Sequence, residues 1–289
     1  MQSHSRRETL KGILLLVASV SLFGVVDGLS KVLVETQSFG QIMLARYGLA
    51  LPLFYVVSGF PKPAALFRSA RPGTQILRAI APLIIGGAMV FAVRYLPLAE
   101  ATVILFAGPF LVVALSGPLL GERVGMASWI GVVLGFIAVF MVARPGFSDV
   151  SVYAVFPLVA ALFYAVFQML TRHLSAAAEK TETTLAWTLA IGLAVSVPLA
   201  AAEWVPVSAT AWLLAIVLSI VFAAGQLLLV RAYDHAAANI LAPFSYVQII
   251  AATVFGLLAF GDMPDLWTLL GIALIIIAGV YVMRGNSGS

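Results

Sequence analysis

The stretch from Arg94 to Gly146, RYLPLAEATVILFAGPFLVVALSGPLLGERVGMASWIGVVLGFIAVFMVARPG, constrains the fold more than any other feature of the chain. It holds two apolar runs of about 20 residues, each long enough at about 1.5 Å per residue to cross the hydrocarbon of a bilayer. The charged break between them is the tight Gly121-Glu122-Arg123 turn. A soluble fold would have to bury both runs on all sides. A chain of 289 residues that is 62% hydrophobic and 10% charged lacks the polar surface to do so. Its mean hydropathy of +1.09 places it in lipid.

The same pattern recurs later in the chain. A shift of 140 residues carries Gly121 to Gly261, Glu122 to Asp262, Gly131 to Gly271, Ala138 to Ala278 and Arg144 to Arg284. Nearer the front of each half a shift of 141 carries Phe23 to Tyr164, Ser30-Lys31 to Thr171-Arg172, and Ala45 to Ala186. A difference of one residue is an ordinary loop change. The expected organisation is a duplication, 1–150 and 151–289, with five apolar runs in each half. An odd number of crossings per half turns the second half over relative to the first, which is how many secondary transporters are built. The fold expected is therefore all-α and integral to the membrane, with ten transmembrane helices in two inverted five-helix repeats.

The charged start, MQSHSRRETLKG, resembles a signal-peptide n-region, but the run behind it reaches Val34 and carries Asp27 and Lys31, so it is taken as the first permanent span. The other spans are expected near 39–58, 76–93, 97–119, 126–143, 153–171, 184–202, 210–230, 237–259 and 266–283. With a cytoplasmic N terminus, twelve of fifteen loop-end basic residues fall inside, and only Lys31, Arg94 and Arg144 fall outside. Both termini are thus expected in the cytoplasm, and Glu35, Asp149, Glu203, Asp262 and Asp265 on the far side. With no cysteine and three scattered histidines, His4, His173 and His235, neither a metal centre nor any other cofactor is expected. The basic residues stand singly between apolar runs, so the net charge of +4 reflects topology and not a nucleic-acid surface.

The ten-run layout, YLPLAEAT opening the fourth run, Gly121-Glu122-Arg123 followed by an apolar run ending Arg144-Pro145-Gly146, and LAPFSYVQII in the ninth run resemble the EamA type of the drug/metabolite transporter superfamily over nearly the whole chain. Asp262 departs from the glutamate usual there but keeps the charge. The resemblance implies alternating-access transport of a small metabolite across the bacterial inner membrane, by a monomer or homodimer. Relatives of this type include YddG-type amino-acid exporters, riboflavin and S-adenosylmethionine importers, and metallophore exporters, so the resemblance fixes neither substrate nor direction.

Ionisable groups inside a span are costly unless paired or wetted, which makes the few present here candidates for function. Asp27 and Lys31, acid first and four apart, share a helix face as an intrahelical pair. Asp27 either neutralises a snorkelling Lys31 or lines a cavity, since Gly24 and Gly28 leave room beside it for a ligand or a helix. Arg46 lies too deep to snorkel. It serves as a counter-ion or carboxylate clamp, or as a structural bridge to Asp27 or Glu100. Glu100, at a helix N terminus, fits a dipole-capping role or a ligand contact.

The second half offers neutral groups. Tyr164, Gln168 and Thr171 share one helical face, and so do Asn239, Pro243 and Tyr246, with Gln248 nearby. Pro109 and Pro243 free the carbonyls of Leu105 and Asn239 and interrupt the fourth and ninth runs, where hinges beside a substrate site are expected. Phe106, with Phe91, Tyr95, Phe163 and Trp187, has the faces to stack a planar group. Trp129, Trp204, Trp212 and Trp267 fit an interfacial belt. No nucleophile, base or metal cluster of an enzyme is apparent, and no repeated polar ring of a channel. One acid, one deep arginine, amides and tyrosines suit a small zwitterion such as an amino acid, exported. A larger planar metabolite such as riboflavin or S-adenosylmethionine is the alternative.

Overall fold

In a computed structural model the residues described are 6–59, 62–120, 126–143, 150–177, 179–235 and 241–286. The helices are α1 (Arg6–Leu33), α2 (Phe39–Tyr47), α3 (Ala50–Val57), α4 (Pro63–Leu66), α5 (Pro72–Tyr95), α6 (Leu98–Leu105), α7 (Gly108–Leu120), α8 (Met126–Ala143), α9 (Val150–Tyr153), α10 (Val155–Ala176), α11 (Thr181–Ala202) and α12 (Ala209–His235). A 3-10 turn (Ala242–Tyr246), α13 (Val247–Phe260) and α14 (Leu266–Asn286) follow. Among the described residues there is no strand. Among those residues six helical segments are long and apolar enough to cross a membrane, and four further apolar helices are shorter.

Local chemistry sets several of the boundaries. Ser38 caps α2 through a capping box, its hydroxyl accepting from the Gln41 amide while the Gln41 side chain accepts from the Ser38 amide. Proline at the first position of α5 gives up no helical hydrogen bond. Gly261 closes α13 in the left-handed region at φ 69°, and its neighbour's amide, Asp262 N–H, reaches back to Gly256 O at 3.2 Å. That turn sets the Asp262 carboxylate over the end of α1.

The fourth apolar run is broken as its proline requires. Above Pro109, the amides of Phe106 and Ala107 reach Thr102 O and Ile104 O, and a new helix starts at Gly108. The second run, expected as one helix, also breaks at Gly48-Leu49. Pro52 has no N–H to give Gly48 O, and the Leu49 amide is taken by the Ser219 hydroxyl at 3.0 Å. Pro243 falls in the 3-10 turn that precedes α13. Asn239, the 121–123 turn and Arg144-Pro145-Gly146 lie outside the described residues.

The helices interlock across the chain's two parts. The helix α1 packs along α12 and α13, α10 along α5 and α7, α2 along α11, and α8 along α14. Gly24 and Gly28 are the reason α1 and α13 come so close: a Cβ at Gly24 would lie 3.0 Å from the Ala252 amide nitrogen, and one at Gly28 would strike the Phe255 ring. A helix, not a ligand, fills the room beside those glycines. The apolar core gathers around Phe110, Val139 and Ile275 at one side of the bundle and around Tyr47, Leu189 and Phe222 at another.

Candidate functional site

The deep charges of α1 and α2 meet. Asp27, six residues before the end of α1 and so about 9 Å from it, accepts a 3.0 Å hydrogen bond from Arg46 Nη2. The same nitrogen donates to Ser30 Oγ at 2.9 Å, and Ser30 in turn donates to Val26 O. Both charged side chains are 8% exposed. The second carboxylate oxygen, Oδ2, accepts from Gln248 Nε2 of α13 at 3.5 Å, so a residue far along the chain closes the cluster.

This corrects one expectation and decides between the alternatives of another. Asp27 does not pair with Lys31 one turn on; Lys31 Nζ lies 2.6 Å from Asp262 Oδ2 and 4.6 Å from the centre of the Phe260 ring. The anion at the α13–α14 turn and the ring beside it outcompete a neighbour on the same helix that is already engaged by a guanidinium. Of the two acids expected as partners of Arg46, the structure has Asp27; Glu100 stands in the first turn of α6, where the helix dipole favours an acid. The Arg46 fork is also not spent on Asp27. One nitrogen serves both acceptors, and the buried Nε has no partner.

On α10, Gln168 Nε2 donates to the Tyr164 hydroxyl at 2.9 Å, and Gly108 lets that ring lie against the break between α6 and α7. Across the break, Phe106 and Tyr246 are buried with ring centroids 5.4 Å apart. The other aromatic candidates are engaged elsewhere. Phe91 stacks between Phe39 and Phe156, Tyr95 on Tyr153, and Trp187 donates to Phe67 O. The tryptophans at 129, 204, 212 and 267 are about half exposed, as a belt requires.

Two cavities open at opposite ends of the bundle, and neither is lined by Asp27 or Arg46. One of ≈ 300 Å³ lies between α2 and α12, among Gln41, Leu49, Trp204 and Trp212. The other, ≈ 710 Å³, lies where α4 meets the α10–α11 connection, among Lys62, Arg68, Glu179, Lys180 and Thr183. Next to the second cavity is a cluster that reading the sequence missed. Arg78 of α5, only 9% exposed, donates to Thr171 Oγ1 at 2.7 Å and Thr188 Oγ1 at 2.8 Å and lies 4.3 Å over the Phe167 ring. Its position six residues inside α5, with no acid three or four residues away, was the available signal.

No group of His, Cys, Asp and Glu able to hold a metal occurs among the described residues. The sequence pattern of the EamA-like transporter family matches residues 10–144 and again 152–284. A pseudopaline exporter of Pseudomonas aeruginosa is 29% identical over 96% of this chain and 97% of its own. A riboflavin transporter of Vibrio cholerae is 26% identical over 96% and 95%, and an S-adenosylmethionine uptake transporter of Rickettsia prowazekii 23% over 97% and 95%. A solved crystal structure with 19% identity superposes over 96% of each chain with a TM-score of 0.62, a likeness of fold alone.

Proposed function

Because the chain belongs to the EamA-like transporter family, and is thus a multi-pass membrane transporter and not an enzyme, we propose that it exports a small zwitterionic metabolite of the amino-acid type by alternating access between two inverted five-helix repeats, 1–150 and 151–289. The observation that carries the reading is the buried Asp27–Arg46 pair, closed by Gln248 from the other repeat. Opposite charges held out of water, with an unspent guanidinium edge, offer a zwitterion a partner for each end.

The packing supports the inverted arrangement. Under the 140–141 shift α1 corresponds to α10, α5 to α12 and α7 to α13. The contact of α1 with α12 then maps onto that of α10 with α5, and α1 with α13 onto α10 with α7. The pairs α2–α11 and α8–α14 map onto themselves, as elements beside a two-fold axis do. Lys62, Arg68 and Lys180 gather at the end opposite Lys31 and Asp262, which supports cytoplasmic termini in a bacterial inner membrane. Pro109 and Pro243 serve as hinges of the interrupted runs, next to the Phe106–Tyr246 pair. That aromatic pair, and relatives named for riboflavin and S-adenosylmethionine, favour a larger planar metabolite as the second reading.

The test is uptake of a panel of labelled amino acids and vitamins into proteoliposomes, with and without a pH gradient. Saturable uptake and counterflow of an amino acid support the first reading. Flux of riboflavin alone replaces it with the second, and unsaturable flux sinks the carrier mechanism.

A further inference from the structure

Arg46 and Arg78 form two arginine sites of similar depth, about 9–11 Å from opposite ends of the bundle by helical rise. Each donates to a hydroxyl, and the two hydroxyls are repeat equivalents: Ser30 accepts from Arg46, and Thr171, a shift of 141 away, accepts from Arg78. The guanidinium comes from α2 in one site and from α5 in the other. The sites differ in one decisive respect. Asp27 neutralises Arg46, whereas the same shift carries Asp27 to Gln168, an amide already donating to Tyr164.

Arg78 is left as a cation, nine-tenths buried, with two neutral hydroxyls and an aromatic face for company. No carboxylate among the described residues pairs with it. Both hydroxyl protons are spent, Thr171 on Phe167 O and Thr188 on Thr184 O, so these groups present lone pairs to the guanidinium and nothing more. One turn earlier on the same face of α5, Gln75 is 1% exposed. Its amide donates to Glu179 and Thr184, while its carbonyl oxygen is buried without a donor. Glu179, which accepts from Gln75, lines the ≈ 710 Å³ cavity, so that cavity ends one side chain short of Gln75. A charge so placed calls for an anion, and an orphaned carbonyl beside it for an N–H.

Resting on the transport reading above, we propose that Arg78 is the carboxylate-binding group of a second substrate station, with Gln75 Oε1 receiving the ammonium of the same ligand. The first repeat carries its anion in the chain as Asp27. The second takes it from the solute: Arg78, a residue of the first repeat, is held by Phe167, Thr171 and Thr188 of the second, so a bound carboxylate sits where the two meet. Phosphatidylglycerol offers Arg78 the same charge, but has no N–H for Gln75.

The probes are L-leucine, L-leucinamide and 4-methylpentanoate, measured by equilibrium dialysis on the purified chain in neutral detergent. Wild type binds leucine at least about tenfold more tightly than leucinamide, and 4-methylpentanoate also ahead of the amide. Wild type holds two carboxylate-selective sites per chain; Arg78→Gln leaves one, at Arg46, and Arg78→Lys keeps part of the second. Gln168→Glu, which supplies an internal anion where the repeat has Asp27, removes the same second site without lowering the unfolding midpoint. This reads the site even where Arg78→Gln fails to fold. Two carboxylate-selective sites retained in Arg78→Gln or in Gln168→Glu overturn the proposal. So does a wild type that shows no carboxylate preference, or one that responds through Arg78 to added phosphatidylglycerol alone. Flux is read separately. A wild type that binds 4-methylpentanoate through Arg78 but moves no amino acid refutes the export reading and leaves this site standing.

Discussion

Removing one member of the Asp27–Arg46 pair should cost far more than removing both. At 3.0 Å the gross attraction is roughly 5 kcal/mol for an effective dielectric near 20. Most of that is offset by the cost of taking two charges out of water, so the net worth of the pair is small. A single substitution instead strands its partner. Arg46→Met leaves the Asp27 carboxylate buried with one long contact, to Gln248 at 3.5 Å. Orphaned buried charges cost about 3–5 kcal/mol, and because helices unfolded within a micelle still keep that charge from water, the lower end applies, about 3 kcal/mol. Arg46→Met and Asp27→Leu should each lose about that much, while the double variant stays within about 1 kcal/mol of wild type. The coupling is read by SDS-titrated unfolding in mixed micelles followed by circular dichroism. Arg46→Lys keeps the charge and one donor nitrogen, so it should stay near wild-type stability while transport falls, because the unspent Nε is gone. Additive single effects, with a coupling under about 0.5 kcal/mol, would refute the reasoning.

Three further expectations follow from named contacts. Lys31–Asp262, at 17% and 30% side-chain exposure, is worth no more than about 1 kcal/mol, so Lys31→Glu should change flux more than stability, and Lys31→Glu/Asp262→Lys should restore flux; a double variant as impaired as the single would show that the ion pair between the two halves does not set flux. Gly40 packs against the backbone of Leu199 and Ala200, where a Cβ has no room, so Gly40→Ala should push α2 from α11 and cost about 1–3 kcal/mol, whereas an unchanged unfolding midpoint would mean the two helices do not touch there. Glu179 is pulled upward by what little burial it has, but hydrogen bonds from Ser69, the Ala70 amide, Gln75 and the Arg71 amide outweigh that and hold its carboxyl below 4.5. With the folded value depressed, its contribution is present above pH 4.5 and fades as the pH falls through the lower folded value, so Glu179→Gln should destabilise at pH 7 and be silent well below pH 4.5; an effect independent of pH would show that shape alone matters.

The sequence made legible what a single residue dictates to its own helix. Pro109 announces a broken fourth run because proline cannot bond back one turn, and the break stands at Phe106-Ala107. Pro52 carries the same message, yet the second run reads from the sequence as one helix, because its one charged residue, Arg46, points to a partner and not to the break beside it at Gly48-Leu49. Partners across the fold were harder. Spacing of four proposes Lys31 for Asp27, but the acid that holds Lys31 is 231 residues away and arrives only through the left-handed turn at Gly261. Gly24 and Gly28 signalled a close approach without saying of what, since a small residue accommodates a ligand and a helix equally. Arg78 reads from the sequence as one more basic residue at a loop end, because nothing in a linear pattern tells an arginine that reaches solvent from one that turns inward to Thr171 and Thr188.

What the duplication keeps and what it changes fall on different residues. Under the repeat shift a set of residues at the helix ends persists: Gly121 and Gly261, Lys31 and Arg172, Glu122 and Asp262. The interior charges do not, for Asp27 becomes Gln168 and Arg46 becomes Trp187. A carrier needs two global states within a few kcal/mol of each other, and a scaffold repeated with its terminal charges comes close to that balance without tuning. A zwitterion of the kind proposed has no two-fold symmetry, so the groups that would meet it are the ones free to differ between the repeats. The residues that break the repeat, Asp27, Arg46 and Gln168, are therefore where substitution should alter what is carried, and the residues that obey it, Lys31 and Asp262 among them, are where substitution should alter how readily the ends open.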